Sequence, residues 1–132
     1  MAISNLNETL LMYTRQKSRL NNQISDIQFN IMSASRKTLQ LQSQYNQKLQ
    51  NYYFMYGCDE DMQEEYDELC AALQQEYEFN LANIDSWEEE LELSKENMEL
   101  RVAEITQNEN SFKTLLKSQL KQDFTYGGIQ QG

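Results

Sequence analysis

The sequence contains no histidine and no proline, only four glycines, two cysteines and a single valine, Val102. Without His there is no Ser-His-Asp triad, no Cys-His nucleophile pair, no imidazole metal ligand and no imidazole pH switch. Without Pro, and with one Val, the chain lacks the strongest helix breaker and a principal strand former. Two thiols do not make a disulfide framework and, with no His, are too few for a closed zinc site. The expectation is two reduced cysteines, with a Cys58 bridge between subunits as the minority alternative. No stretch approaches about 18 uninterrupted apolar residues, so no membrane insertion is expected. The segment Met1–Glu8 has neither the basic region nor the apolar core of a cleaved signal peptide. These features predict a cytoplasmic protein, or one exported without a cleaved signal.

What is present favours helix. Leu, Gln, Glu, Lys and Met are abundant. At 132 residues one domain is expected. The 39% hydrophobic content and mean hydropathy of −0.79 lie below an ordinary globular domain, at about 45–50% apolar, and predict a small core. A net charge of −10 argues against a phosphate-binding surface and so against a nucleic-acid partner.

Gly57 is the only glycine before residue 127. It sits in Tyr56-Gly57-Cys58-Asp59-Glu60-Asp61, where a left-handed glycine C-cap followed by an N-capping Asp would reverse the chain. A first helix is therefore expected over about residues 4–56, a turn near 57–60 and a second helix from about 60. Residues 1–122 form the expected hairpin domain, and 123–132, with three of the four glycines, a flexible tail. Steps of alternating three and four from Ile3 reach Leu6, Leu10, Tyr13, Lys17, Leu20, Ile24, Ile27, Ile31, Ala34, Thr38, Leu41, Tyr45, Lys48, Tyr52 and Met55. Thirteen of these sixteen positions are apolar or aromatic, which defines a heptad seam. A second row runs every seven residues through Cys70, Tyr77, Ile84, Leu91, Met98, Ile105 and Phe112. Its companion row drifts, from Tyr66, Leu73 and Trp87 to Leu81, Val102 and Leu116, which suggests local irregularity. Ser86 with Glu89 offers a capping box, although the heptad row passes through it. Asn108-Glu109-Asn110-Ser111 marks a kink or the start of a short C-terminal helix, or else continuous helix. The fold class predicted is all-α: a long antiparallel helical hairpin of coiled-coil type. A parallel dimer of one continuous helix is the lesser alternative.

Charge is segmented. Residues 1–57 carry a net +4, residues 58–104 a net −15 and residues 105–132 a net +1. Reversal at Gly57–Cys58 would set residue i opposite residue 116 − i. Lys48 would then approach Glu68, Arg36 and Lys37 would approach Glu76 and Glu78, and Lys17 and Arg19 would approach Glu96 and Glu99. Exposed pairs contribute only about 0–1 kcal/mol each, so charge would select the register while the seam supplies stability. Acid remains in excess at Glu88, Glu89, Glu90, Glu92 and Glu96, as a solvated face or as a docking surface for a basic partner.

The chemical readings of this acid fail on ligand type. Di-iron carboxylate bundles need Glu-x-x-His, and an EF-hand needs a central Gly that Asp59–Glu64 lacks. Acid–base work by paired carboxylates needs a desolvated cleft, which a two-helix hairpin does not offer. The expectation is no enzyme activity, no metal, no cofactor and no small-molecule substrate.

Two features point to protein partners instead. Tyr52-Tyr53-Phe54-Met55-Tyr56 ends at the reversal, with Met62 and Tyr66 on the other limb. Tyr52 and Met55 can enter the seam, which leaves Tyr53, Phe54 and Tyr56 partly outside it as a binding hot spot or a self-packed cap. Off the seam, Leu11, Met32, Leu39 and Tyr53 lie at multiples of seven on the first helix, and Phe79, Leu93 and Leu100 on the second. An isolated hairpin would expose both rows, whereas a homo-oligomer or heterocomplex would bury them. In the tail, Phe124-Thr125-Tyr126-Gly127-Gly128-Ile129 is a weak peptide-docking pattern.

The pattern is similar to the coiled-coil hairpins of bacterial export systems, including flagellar and type III secretion stalk and chaperone proteins, and to the small WXG-type secreted hairpins. It departs from them at the turn, Tyr56-Gly57 without Trp-x-Gly, and at its single Trp87 within the second helix. It is acidic where flagellar-type stalks tend to be basic, and no residue roles carry over. The functions expected are a coiled-coil structural or adaptor protein or, as the alternative, an acidic chaperone-like or effector-like protein of a bacterial secretion or phage system.

Overall fold

The computed structural model describes the backbone of residues 3–131 and the side chains of residues 3–125. The described residues are almost wholly helical: α1 spans Ile3–Tyr52 and α2 spans Gln63–Gln131. Between them lie a π-helical turn, Tyr53–Gly57, and a 3-10 turn, Glu60–Met62. The chain divides into two compact units. One takes Met1–Asp26 with Ser94–Gly132, and the other takes Ile27–Leu93. The second unit is a helical hairpin that contains the reversal. The first is an antiparallel helix pair built from the remaining lengths of the same two helices.

The heptad seam of α1 is realised almost throughout. Leu6 and Ala34 are buried, and every other predicted position is half-buried except Lys48 and Met55, which are exposed. Leu49 takes the seam place expected for Lys48. In α2 all seven residues of the Cys70–Phe112 row are half-buried, with Leu73 buried beside them. The drift of the companion row has a simple form. It runs through Tyr66, Leu73, Asn80 and Trp87, then resumes at Lys95, Val102, Glu109 and Leu116, one residue out of step. The helix absorbs this shift without a break. At 86 the capping box is not used, and Ser86 is an exposed residue inside α2. At 108–111 the helix also continues. Ser111 and Thr114 each donate a side-chain hydrogen bond to the carbonyl four residues back, and Lys113 donates to Glu109, so these polar groups stay satisfied on the helix. Residues 123–125, assigned to the tail from sequence, continue α2, whose backbone runs on to Gln131. The side chains of 126–132, including most of the aromatic–glycine pattern, lie outside the described residues.

The reversal differs from the expected glycine cap. Gly57 does not adopt a left-handed conformation, and α1 ends at Tyr52 rather than near 56. The π turn and the 3-10 turn carry the chain further before it doubles back. Asp59 supplies the expected cap: its backbone is extended and its carboxylate accepts from the Asp61 N–H at 3.1 Å. Glu64 and Glu65 in the first turn of α2 suit the positive end of the helix dipole.

The longer reversal corrects the register. In the first unit Tyr13 meets Phe112, with ring centroids 5.6 Å apart, and Lys17 meets Glu109 at 3.6 Å. In the second, Tyr45 stacks on Tyr77 at 4.5 Å, and the Lys37 ammonium lies 4.8 Å from the centre of the Trp87 ring. These partners' numbers sum to between 122 and 126 instead of 116. The pairs expected of Lys48 with Glu68, of Arg36 and Lys37 with Glu76 and Glu78, and of Lys17 and Arg19 with Glu96 and Glu99 are therefore not formed. A heptad seam looks nearly the same after a slip of one heptad, so its period could not choose between these registers.

Candidate functional site: an aromatic tip and two apolar faces

The π turn determines what the hairpin end presents. An α-helical continuation would carry Met55 back to the seam, three residues after Tyr52. The wider π turn advances the chain out of that phase. Tyr53, Phe54 and Met55 consequently stand out together, 51%, 79% and 67% exposed. The Tyr53 ring meets Phe54 edge-on at 6.1 Å. It also lies over Gly57 so closely that a Cβ there would come within 2.6 Å of the ring. Gly57 is thus needed for space and not for an unusual backbone. Tyr52, Tyr56, Met62 and Tyr66 are half-buried behind this knob. A shallow apolar concavity lined by Leu49, Gln50, Tyr53, Phe54 and Tyr66 flanks it. The Cys70 side chain one turn on, with loss of solvent, raises the Tyr66 phenol above its ordinary value. The phenol therefore stays neutral at physiological pH, and Tyr66 brings no charge to the concavity.

Both off-seam rows are exposed: Leu11, Met32, Leu39 and Tyr53 on the first limb, and Phe79, Leu93 and Leu100 on α2. Among the predicted acidic candidates Glu89, Glu90 and Glu92 are exposed and Glu88 is half-buried. None of them forms an ion pair among the described residues. Among the described residues the ion pairs are Lys17–Glu109, Lys95–Glu99 and Lys113–Glu109, and the first alone joins the two helices. Cys58 and Cys70 are both free thiols. No group of three or more Cys, Asp or Glu side chains among the described residues is arranged to hold a metal ion. No helix among them is long and apolar enough to cross a membrane.

Sequence reasoning missed several members of these surfaces. Met55 joined the tip because the π turn altered its phase. Met12, Phe29, Leu115 and Leu120 are also exposed, and each lies off the seven-residue rows. Their large side chains outside the seam were the available signal. Glu109 lies in the polar run Asn108–Ser111, yet it stands four residues after Ile105, where a seam position recurs. Comparison with family models, with curated proteins and with solved structures found no match.

Proposed function

We propose that this chain is a non-enzymatic coiled-coil structural or adaptor protein that assembles with protein partners through its aromatic tip and off-seam apolar faces. The observation that carries this reading is the joint exposure of Tyr53, Phe54 and Met55 on a π turn, beside the Leu49–Tyr66 concavity. Aromatic and Met side chains at the rim of a shallow apolar depression are the composition of an interaction hot spot. The same residues packed inward would have made a cap. The protein acts in the cytoplasm, or beyond it after export. The test is affinity capture from the native host with the whole chain and with Phe54→Ser. A specific partner should be retained by the former and lost with the latter. Identical recovery with both would sink the tip as a binding site.

A second reading rests on the acid of α2. Glu89, Glu90 and Glu92 are exposed and meet no cation among the described residues. That supports an acidic chaperone-like or effector-like protein of a bacterial secretion or phage system, holding a basic or aggregation-prone client. Its mark would be a captured client that is basic and is released by moderate salt.

A further inference from the structure

We propose that the occupant of the off-seam faces is a second copy of this chain, with the exposed face of α1 in one copy laid against the exposed face of α2 in the other. This deepens the assembly reading above and rests on it. The argument can be confined to residues 27–93. On α1, Met32, Arg36 and Leu39 stand at i, i+4 and i+7, hence on one helix face, and all three are exposed. On α2, Phe79 and Leu93 are exposed and two heptads apart. Glu76 precedes Phe79 by three residues, and Glu89 and Glu90 precede Leu93 by four and three, so these exposed acids edge the same face.

The molecule therefore carries one apolar face edged by a cation and another edged by anions. None of these four charged residues forms an ion pair among the described residues. Either face laid on its own copy would leave these charges without a partner of opposite sign. The α1 face against the α2 face can set Leu39 on Leu93 while Arg36 reaches Glu89 and Glu90, since Arg36 and Glu90 each stand three residues before that leucine. The wider charge segmentation agrees, with +4 over residues 1–57 against −15 over residues 58–104.

The experiment is sedimentation velocity with multi-angle light scattering on the whole chain, from low to high micromolar concentration. The expected species is a dimer or larger, weakened by salt. Met32→Glu with Leu39→Glu should convert it to monomer, with helical circular dichroism unchanged as the control for folding. Arg36→Glu should weaken association about tenfold, and adding Glu89→Arg with Glu90→Arg should restore it. In a Cys58→Ser, Cys70→Ser background, Leu39→Cys on one tagged copy should cross-link to Leu93→Cys on a differently tagged copy. Two results would overturn the proposal: a chain that is monomeric at every concentration, or an oligomer whose mass ignores the Met32 and Leu39 changes. A monomer that still loses its host partner on Phe54→Ser removes self-pairing alone and leaves the assembly reading standing.

Discussion

The Lys17 ammonium stands 3.6 Å from a Glu109 carboxylate oxygen that also accepts a hydrogen bond from Lys113 at 3.1 Å. Glu109 is the only buried charged side chain among the described residues, and Lys17 occupies a seam position of α1. A charge pair inside an apolar seam contributes less to stability than good apolar packing, but it penalises any register that leaves one charge alone. Lys17→Met should therefore lower the melting midpoint, because Glu109 loses its partner across the seam. Lys17→Leu combined with Glu109→Leu should recover the loss or exceed the original midpoint. A double variant as unstable as the sum of the two singles would show that the pair acts independently.

The same site sets an acid sensitivity. The hydrogen bond from Lys113 lowers the Glu109 pKa, with Lys17 adding to the effect and burial opposing it. A carboxyl whose folded pKa is depressed contributes stability that is complete above its unfolded value, about 4.3 for Glu, and disappears as pH falls through the lowered folded value. Acidification also relieves repulsion among the many α2 carboxylates, so the informative quantity is a difference. The melting midpoint of the unaltered protein minus that of Glu109→Gln should shrink on descending from neutral pH through the carboxylate range. A difference independent of pH would refute the linkage.

At the tip, Gly57 should be replaceable only when Tyr53 is not there. Its backbone is not left-handed, so alanine fits the conformation and, with the ring removed, should stabilise by about 0.4–1 kcal/mol. With Tyr53 in place the new Cβ would meet the ring at 2.6 Å and displace it. Chemical denaturation of Gly57→Ala in the native and Tyr53→Ala backgrounds should thus give changes of different size, with the gain seen in the second. Equal changes would mean that the ring does not constrain this position.

Trp87 is the only tryptophan, so its emission reports one place. The Lys37 ammonium lies 4.8 Å from the centre of its ring. Lys37→Gln should alter the Trp87 emission maximum and cost about 0.5–1 kcal/mol, the usual worth of an exposed cation–π contact. An unchanged spectrum together with unchanged stability would show that the contact is not populated in solution.

Burial separates residues that composition treats alike. Leu73 is buried whereas Leu39 is exposed. Leu73→Ala should cost about 2–5 kcal/mol, and Leu39→Ala should change monomer stability by no more than about 0.5 kcal/mol. Urea titration at low protein concentration, where association is minimal, provides the comparison.

The sequence alone determined that the chain is all-α, that it reverses near Gly57, and which residues form the seam from Ile3 to Tyr45 and from Cys70 to Phe112. Each follows from local causes: helix propensity, the absence of proline, and a hydrophobic period repeated often enough to be unambiguous. It also exposed the off-seam rows, since a residue off a seam of period 3.5 has no partner on its own hairpin. The register, the place of Met55 and Leu49, and the meeting of Lys17 with Glu109 were decided only in the tertiary structure. A repeating seam is nearly unchanged by a slip of one heptad, and exposed charges are too weakly coupled to choose between such slips. The choice falls to the length of the reversal, where a π turn held open by Gly57 under the Tyr53 ring spends more residues than a simple glycine cap. That one local conformation sets the register and turns Met55 outward beside Tyr53 and Phe54.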